Sequence, residues 1–294
     1  MSADHSPGSY YLPAPSYWPI IGSVGLFSLL VGAANWLHGN TIGPYLFLLG
    51  AAIVVFMMFG WFGTVINENQ AGLYNNPQVD RSFRWGMAWF IFSEVMFFGA
   101  FFGALFYARV LSVPWLGGEG TGDMTQLLLW PNFQATWPLL HNPGPAEFAG
   151  PKEAMEAWGL PAINTLILLT SGVTITIAHW GLLKNKFKQM VIGQFLTILL
   201  GIAFLICQAY EYGHAYHAMH LRLDSGIYGT TFFMLTGFHG MHVTIGTIML
   251  IVILFRMLKH HFSEHNHFAF EAVSWYWHFV DVVWLILFVF VYWL

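Results

Sequence analysis

The sequence predicts an all-α, polytopic membrane protein with seven transmembrane helices. Three observations carry that prediction. Charged residues are 8% of the 294 residues, hydrophobic residues 57% and aromatic residues 18%, where a globular domain carries about 25% charged residues. The apolar residues fall in long continuous runs, and a bilayer core of about 30 Å needs about 20 of them per helix. The runs also lack the alternation over about ten residues that marks a membrane barrel.

The expected spans follow in order. The first runs from Trp18 to Leu37 and the second from Gly43 to Ile66. The third runs from Arg84 to Leu111 and carries one acid, Glu94. The fourth runs from Ala162 to Leu183, the fifth from Gln189 to Gly213, the sixth from Ile227 to Phe255 and the seventh from Phe270 to Leu294. The segment before Trp18 is polar, Pro-rich and free of Lys and Arg, so it does not read as a signal peptide. Gly22, Gly25 and Gly32 in the first span, and the Gly99/Gly103 pair in the third, are small residues of the kind that let helices approach closely.

The connection from Ser112 to Pro161 is long and rich in Pro, Gly and Trp. Its stretch Lys152 to Trp158 reads as a short helix, and Trp130 and Trp137 suggest contact with the membrane interface or a partner. Of the ten Lys and Arg, seven fall on one side: Arg81, Arg84, Lys184, Lys186, Lys188, Arg256 and Lys259. Arg109, Lys152 and Arg222 fall on the other. The positive-inside rule then puts the N-terminus in the cytoplasm and the C-terminus outside.

Composition also excludes functions. A net charge of −4 with no basic stripe gives no surface for nucleic acid. The single cysteine, Cys207, precludes an internal disulfide framework or a thiolate metal cluster. There are 14 histidines, but their clusters divide. His214, His217 and His220 fall outside, while His260, His261, His265 and His267 fall inside, so no metal site is expected from them. Glu211 and His214 have the Glu-x-x-His spacing of di-iron bundles, but no second copy lies in a span.

Glu94 is the most informative position. It stands ten residues beyond Arg84, about 15 Å into the span, where a charged carboxylate costs at least about 2.5 kcal/mol. It reads either as a proton-active or headgroup-contacting acid, or as a hydrogen-bonded structural carboxyl. His242 lies fourteen residues before Arg256, about 21 Å from the same surface, and is the best partner for Glu94, with His239 as the fallback. An imidazole can donate to the acid without a formal charge, or share its proton. His278 and Asp281 share one face of the seventh span and could form a polar pair. The residues alone leave a channel, a transporter or an accessory subunit open.

Several stretches resemble subunit III of cytochrome c oxidase, a haem-copper oxidase family. They are Trp275-Tyr276-Trp277-His278-Phe279-Val280-Asp281-Val282-Val283-Trp284, Thr231-Phe232-Phe233 and Gly237-Phe238-His239-Gly240-Met241-His242-Val243. To these add Arg84-Trp85-Gly86-Met87, Ser93-Glu94-Val95-Met96-Phe97-Phe98, Trp18-Pro19-Ile20 and Ser171-Gly172-Val173-Thr174. The resemblance implies two plus five helices flanking a lipid-filled cleft. Residues 18–66 would be the first two-helix bundle, 67–83 a cytoplasmic connection and 84–294 the five-helix bundle, with the external loop at 112–161. It implies a non-catalytic subunit of a proton-pumping aa3-type oxidase, with no cofactor of its own and haem and copper in partner subunits. The implied partners are subunits I and II, with cytochrome c as substrate of the complex and phospholipid in the cleft. Glu94 and Arg256 would line that cleft, and Trp61 would face the lipid at the interface. The expected location is a bacterial inner membrane, a mitochondrial one being the other possibility. Here Gly63 follows Trp61-Phe62, and Asn67 stands where the family usually has an Arg. A quinol oxidase subunit III, an accessory chain of a nitric oxide reductase and, in another class, a membrane di-iron oxygenase are the alternatives.

Overall fold

The computed structural model describes residues 14–74, 76–145 and 148–294. Most of the polar segment expected at 1–17 lies outside the described residues. No strand occurs among the described residues. The helices are α1 (Trp18–Leu37), α2 (Gly43–Gln70), α3 (Pro77–Phe106), α4 (Val113–Leu116), α5 (Asp123–Leu129), α6 (Leu160–Leu183), α7 (Phe187–His217), α8 (Ile227–Leu258) and α9 (Phe268–Leu287). A π-helical turn at Tyr107–Ser112 joins α3 to α4, and another at Phe288–Trp293 extends α9. Seven stretches are long and apolar enough to cross a membrane: α1, α2, α3 through α4, α6, α7, α8, and α9 with its extension.

Prolines stand in the first turn of α1, α2, α4 and α6, where a missing N–H leaves no helical bond unmade. Several helices outrun their apolar runs. α2 continues to Gln70, α3 starts at Pro77 and α7 continues to His217. Backbone hydrogen bonding does not stop where lipid does, so polar turns extend into the headgroup region without a break.

The packing divides between Phe83 and Arg84. In the N-terminal unit α1 and α2 pack backbone on backbone. A Cβ on Gly32 would stand 2.3 Å from the Phe47 nitrogen, and one on Gly50 would stand 2.3 Å from the Leu29 nitrogen. The Trp18 indole N–H donates to Thr64 Oγ1 at 3.0 Å. The Gly99/Gly103 pair behaves otherwise. Among the described residues, and apart from chain neighbours and the helix's own backbone, nothing lies within 4 Å of a Cβ built on either, so the expected close approach is not made there.

In the second unit α6 packs on α7, α7 on α8, α8 on α9, and α9 back on α6. Trp277 of α9 is fully buried inside this ring. Its Nε1–H donates to Ser171 Oγ at 2.8 Å. Its rings lie against Gly201 and Gly246, where a Cβ would come within 2.9 Å of the indole. Hydrogen bonds between helices add to the seam: Gln194 to the Leu250 carbonyl at 2.9 Å, Thr174 with Thr197 at 2.8 Å, and Trp284 to Thr165 at 3.0 Å. In lipid such bonds and tight packing replace the hydrophobic drive that water supplies. From Arg84 onward α3 lies against α8 and α9 mainly through aromatic rings, with Phe97 5.0 Å edge-on to Phe238 and Phe98 6.1 Å from Phe279. At its end the Arg84 guanidinium pairs with Glu271 of α9 at 2.5 Å.

The long connection differs from expectation. Lys152 to Trp158 is not helical, and the helix sits earlier, at α5. The Lys152 N–H donates to the Met219 carbonyl at 2.9 Å, and the Met155 N–H to the Tyr228 hydroxyl at 3.1 Å. These tertiary bonds hold the segment open against its own helix propensity.

Candidate functional site

Glu94 lies midway along α3 and His242 midway along α8. His242 Nε2 stands 2.7 Å from Glu94 Oε2. The side chains are 20% and 6% exposed. His242 Nδ1 stands 2.6 Å from the Phe238 carbonyl oxygen, one turn back. A carbonyl only accepts, so Nδ1 carries a hydrogen. A neutral imidazole then has only a lone pair at Nε2 and cannot donate to the acid. The 2.7 Å contact therefore contains one proton, brought by the carboxyl or left on an imidazolium. Of the two modes open to the sequence, the shared proton is the one this geometry accommodates. The pair as a whole is electrically neutral.

Aromatic rings wall the pair. Phe98 lies 5.0 Å and Phe97 5.9 Å from the imidazole, and Tyr276 of α9 stacks on it at 6.3 Å. The Tyr276 hydroxyl reaches the His242 carbonyl at 3.4 Å. The site is thus a single polar tie between α3 and α8 inside an apolar sleeve. It can hold a proton and fix two helices.

His239, the fallback partner, is elsewhere. Its Nε2 donates to the Val280 carbonyl at 3.2 Å, and its ring lies between Phe204 and Trp284. His278 Nδ1 and Asp281 Oδ2 stand 3.8 Å apart, a polar pair within ion-pair reach but beyond hydrogen-bond length. Asp281 is also buried against Gly172 of α6, where a Cβ would come within 2.6 Å of Oδ2. Helical spacing put the two on one face, but the packing of α6 drew the carboxylate inward.

Arg256, near the end of α8, is 8% exposed and has no ion pair among the described residues. Its guanidinium stacks over Phe262 at 4.6 Å, and Nε has no hydrogen-bond partner among the described residues. Burial first, then the charges of Arg256 and Lys259, holds nearby His261 below the usual imidazole value. Trp61 lies on α2 in the N-terminal unit and is 42% exposed.

Two features escaped the sequence reading. Glu211, which the sequence offers only as part of a Glu-x-x-His spacing, is buried and accepts from the Tyr292 hydroxyl at 2.6 Å, while His214 is exposed. Trp277 and Trp284 find Ser171 and Thr165 on α6; a buried indole needs an acceptor, and the hydroxyls of the fourth span were the available signal. Among the described residues, His179, His267 and Glu271 form the group whose ligand atoms lie within 4.8 Å of one another.

The family model for cytochrome c oxidase subunit III matches residues 8–122 and 135–294. This chain belongs to that family. It is 40% identical to cytochrome c oxidase subunit 3 of Dugong dugon, 41% to that of Drosophila melanogaster and 39% to that of Bos taurus. Each alignment covers 289 residues, 98% of both chains. The chain is therefore a membrane subunit of an oxidoreductase complex, and Glu94, His242 and Trp277 are subunit III residues. Residues 123–134, which include α5, fall outside the family match.

Proposed function

We propose that this chain is the non-catalytic subunit III of a proton-pumping aa3-type cytochrome c oxidase in a bacterial inner membrane. It packs on subunit I, in a complex with subunit II, and keeps the catalytic subunit active while oxygen is reduced to water. Electrons come from cytochrome c through haem and copper held by the partner subunits. The observation that carries the reading is the Glu94–His242 bond, a buried polar tie that serves stability rather than oxygen chemistry. The N-terminus faces the cytoplasm, supported by the excess of Lys and Arg on that side. The bacterial setting is supported by the long connection, of which residues 123–134 lie outside the family match.

Arg256 supports the phospholipid part. A buried guanidinium without an ion pair among the described residues needs an anion, and a phosphate accepts its two-pronged donor geometry. Trp61 offers an amphipathic ring to the interface in the other unit. Proton uptake on the inner side is assisted by the same assembly.

Gentle purification followed by a haem spectrum and identification of co-purifying chains tests the assignment. The expected result is a-type haem with subunits I and II and oxidation of cytochrome c. Quinol oxidation without cytochrome c activity would move the chain to the quinol oxidases. Arg256→Ala should lower the phospholipid that co-purifies with the complex; unchanged lipid content would remove Arg256 from that role.

A further inference from the structure

The geometry points to a binding site for one divalent cation of the zinc class, made by His179 at the end of α6 and by His267 and Glu271 at the start of α9. The ligand atoms of the three lie within 4.8 Å of one another. His267 Nε2 is 3.3 Å and His179 Nε2 3.9 Å from Glu271 Oε1. Zinc holds nitrogen and oxygen ligands at about 2.0–2.2 Å, which in a tetrahedron spaces them about 3.3–3.6 Å apart. One contact already has that spacing, and the His179 side closes with a shift of about 1 Å on the same scale.

The hydrogen bonding around the group leaves a gap for positive charge. His267 Nδ1 lies 3.0 Å from the Ser263 carbonyl and so carries the ring hydrogen. In the neutral ring Nε2 then presents a lone pair to a carboxylate oxygen, acceptor against acceptor. His179 Nε2 is buried and has no hydrogen-bond partner among the described residues. The other oxygen of Glu271, Oε2, is taken by Arg84 at 2.5 Å, so Oε1 alone faces the two imidazoles. A cation among these three atoms satisfies all of them. Outer bonds from a ligand histidine to a carbonyl, and from a cation to a ligand carboxylate, are the usual support of a metal site. Two imidazoles and one carboxylate suit zinc and leave a fourth position for water.

The site ties α6 to α9 at the membrane face where both begin or end, and it lies apart from the Glu94–His242 pair. The sequence alone gives no reason to expect a metal, because the histidine clusters fall on opposite sides. His179 belongs to neither cluster, and only folding brings it to His267.

The test uses the intact oxidase complex. Chelator-washed complex is dialysed against micromolar zinc, and zinc is counted per haem for wild type, His179→Ala and Glu271→Gln. The expected result is one more zinc per complex in wild type than in His179→Ala, with affinity about tenfold or more weaker in Glu271→Gln. Zinc-edge absorption on the wild type should show imidazole scattering at about 2.0–2.1 Å. Equal zinc in wild type and His179→Ala overturns the assignment, because a proton on the imidazole then fills the gap. Should the variants lose the subunit, the wild-type spectrum decides alone, and a bound zinc without imidazole scattering overturns it as well.

Discussion

Replacing Glu94 by glutamine and by alanine should have different consequences, because a neutral His242 with its hydrogen on Nδ1 presents a lone pair at Nε2. In Glu94→Gln the side-chain amide N–H can donate to that lone pair across the same 2.7 Å contact, so the tie between α3 and α8 survives. In Glu94→Ala the nitrogen loses its partner while remaining 6% exposed. A hydrogen bond to a charged group is worth about 1.5–3 kcal/mol in water-soluble proteins. Bonds between membrane helices average about 0.6 and reach about 1.7 kcal/mol. The membrane value governs here, and the strong short bond places the loss near its upper half, at about 1 kcal/mol. With tenfold per 1.4 kcal/mol, inactivation that proceeds through loosening of α3 should accelerate about fivefold. Oxygen uptake recorded through many turnovers of the assembled complex measures this. Initial rates should match wild type for Glu94→Gln, and the lifetime of Glu94→Ala should shorten. Immediate loss of oxygen reduction in fully assembled Glu94→Gln would refute the structural role and put a direct proton-transfer step in its place. An Ala variant that lasts as long as wild type would refute the energetic argument.

Other outcomes follow from the packing. Trp277→Phe removes the bond to Ser171 and part of a fully buried ring, and should cost about 1–3 kcal/mol, read as a lower temperature of subunit dissociation. Gly32→Leu places a side chain where the Phe47 backbone stands 2.3 Å away, so it should part α1 from α2 and expose the hairpin to limited proteolysis. Gly103→Ala meets nothing within 4 Å and should leave the chain's own stability within about 0.5 kcal/mol, judged by the same dissociation assay.

The spans were legible because lipid imposes a length and an apolar composition, and α1 begins and ends at the residues expected for it. Helix ends beyond the apolar core were not, because Asn67 to Gln70 and Pro77 to Phe83 are polar enough to hide their helicity from hydropathy. The Glu94–His242 contact was legible from depth alone, since both residues could be counted inward from one surface. That the contact shares a proton, with the hydrogen of the ring on Nδ1, was not, because it depends on the Phe238 carbonyl. Asp281 shows the limit of spacing arguments: its neighbour on the helix face was predictable, but its burial against Gly172 required knowing which span lies opposite. His179 marks the same limit for the cation site.

The Trp277 slot also bears on how the chain is made. Ser171, Gly201 and Gly246 belong to α6, α7 and α8, which leave the ribosome before the indole that fills the space among them. A nascent chain that has inserted α8 is a row of helices with a glycine-lined groove still empty. It becomes a folded unit only when α9 arrives and its indole enters. Insertion and folding are thereby separated in time, and any surveillance that reads such grooves would treat every copy as unfinished until that helix has entered the bilayer.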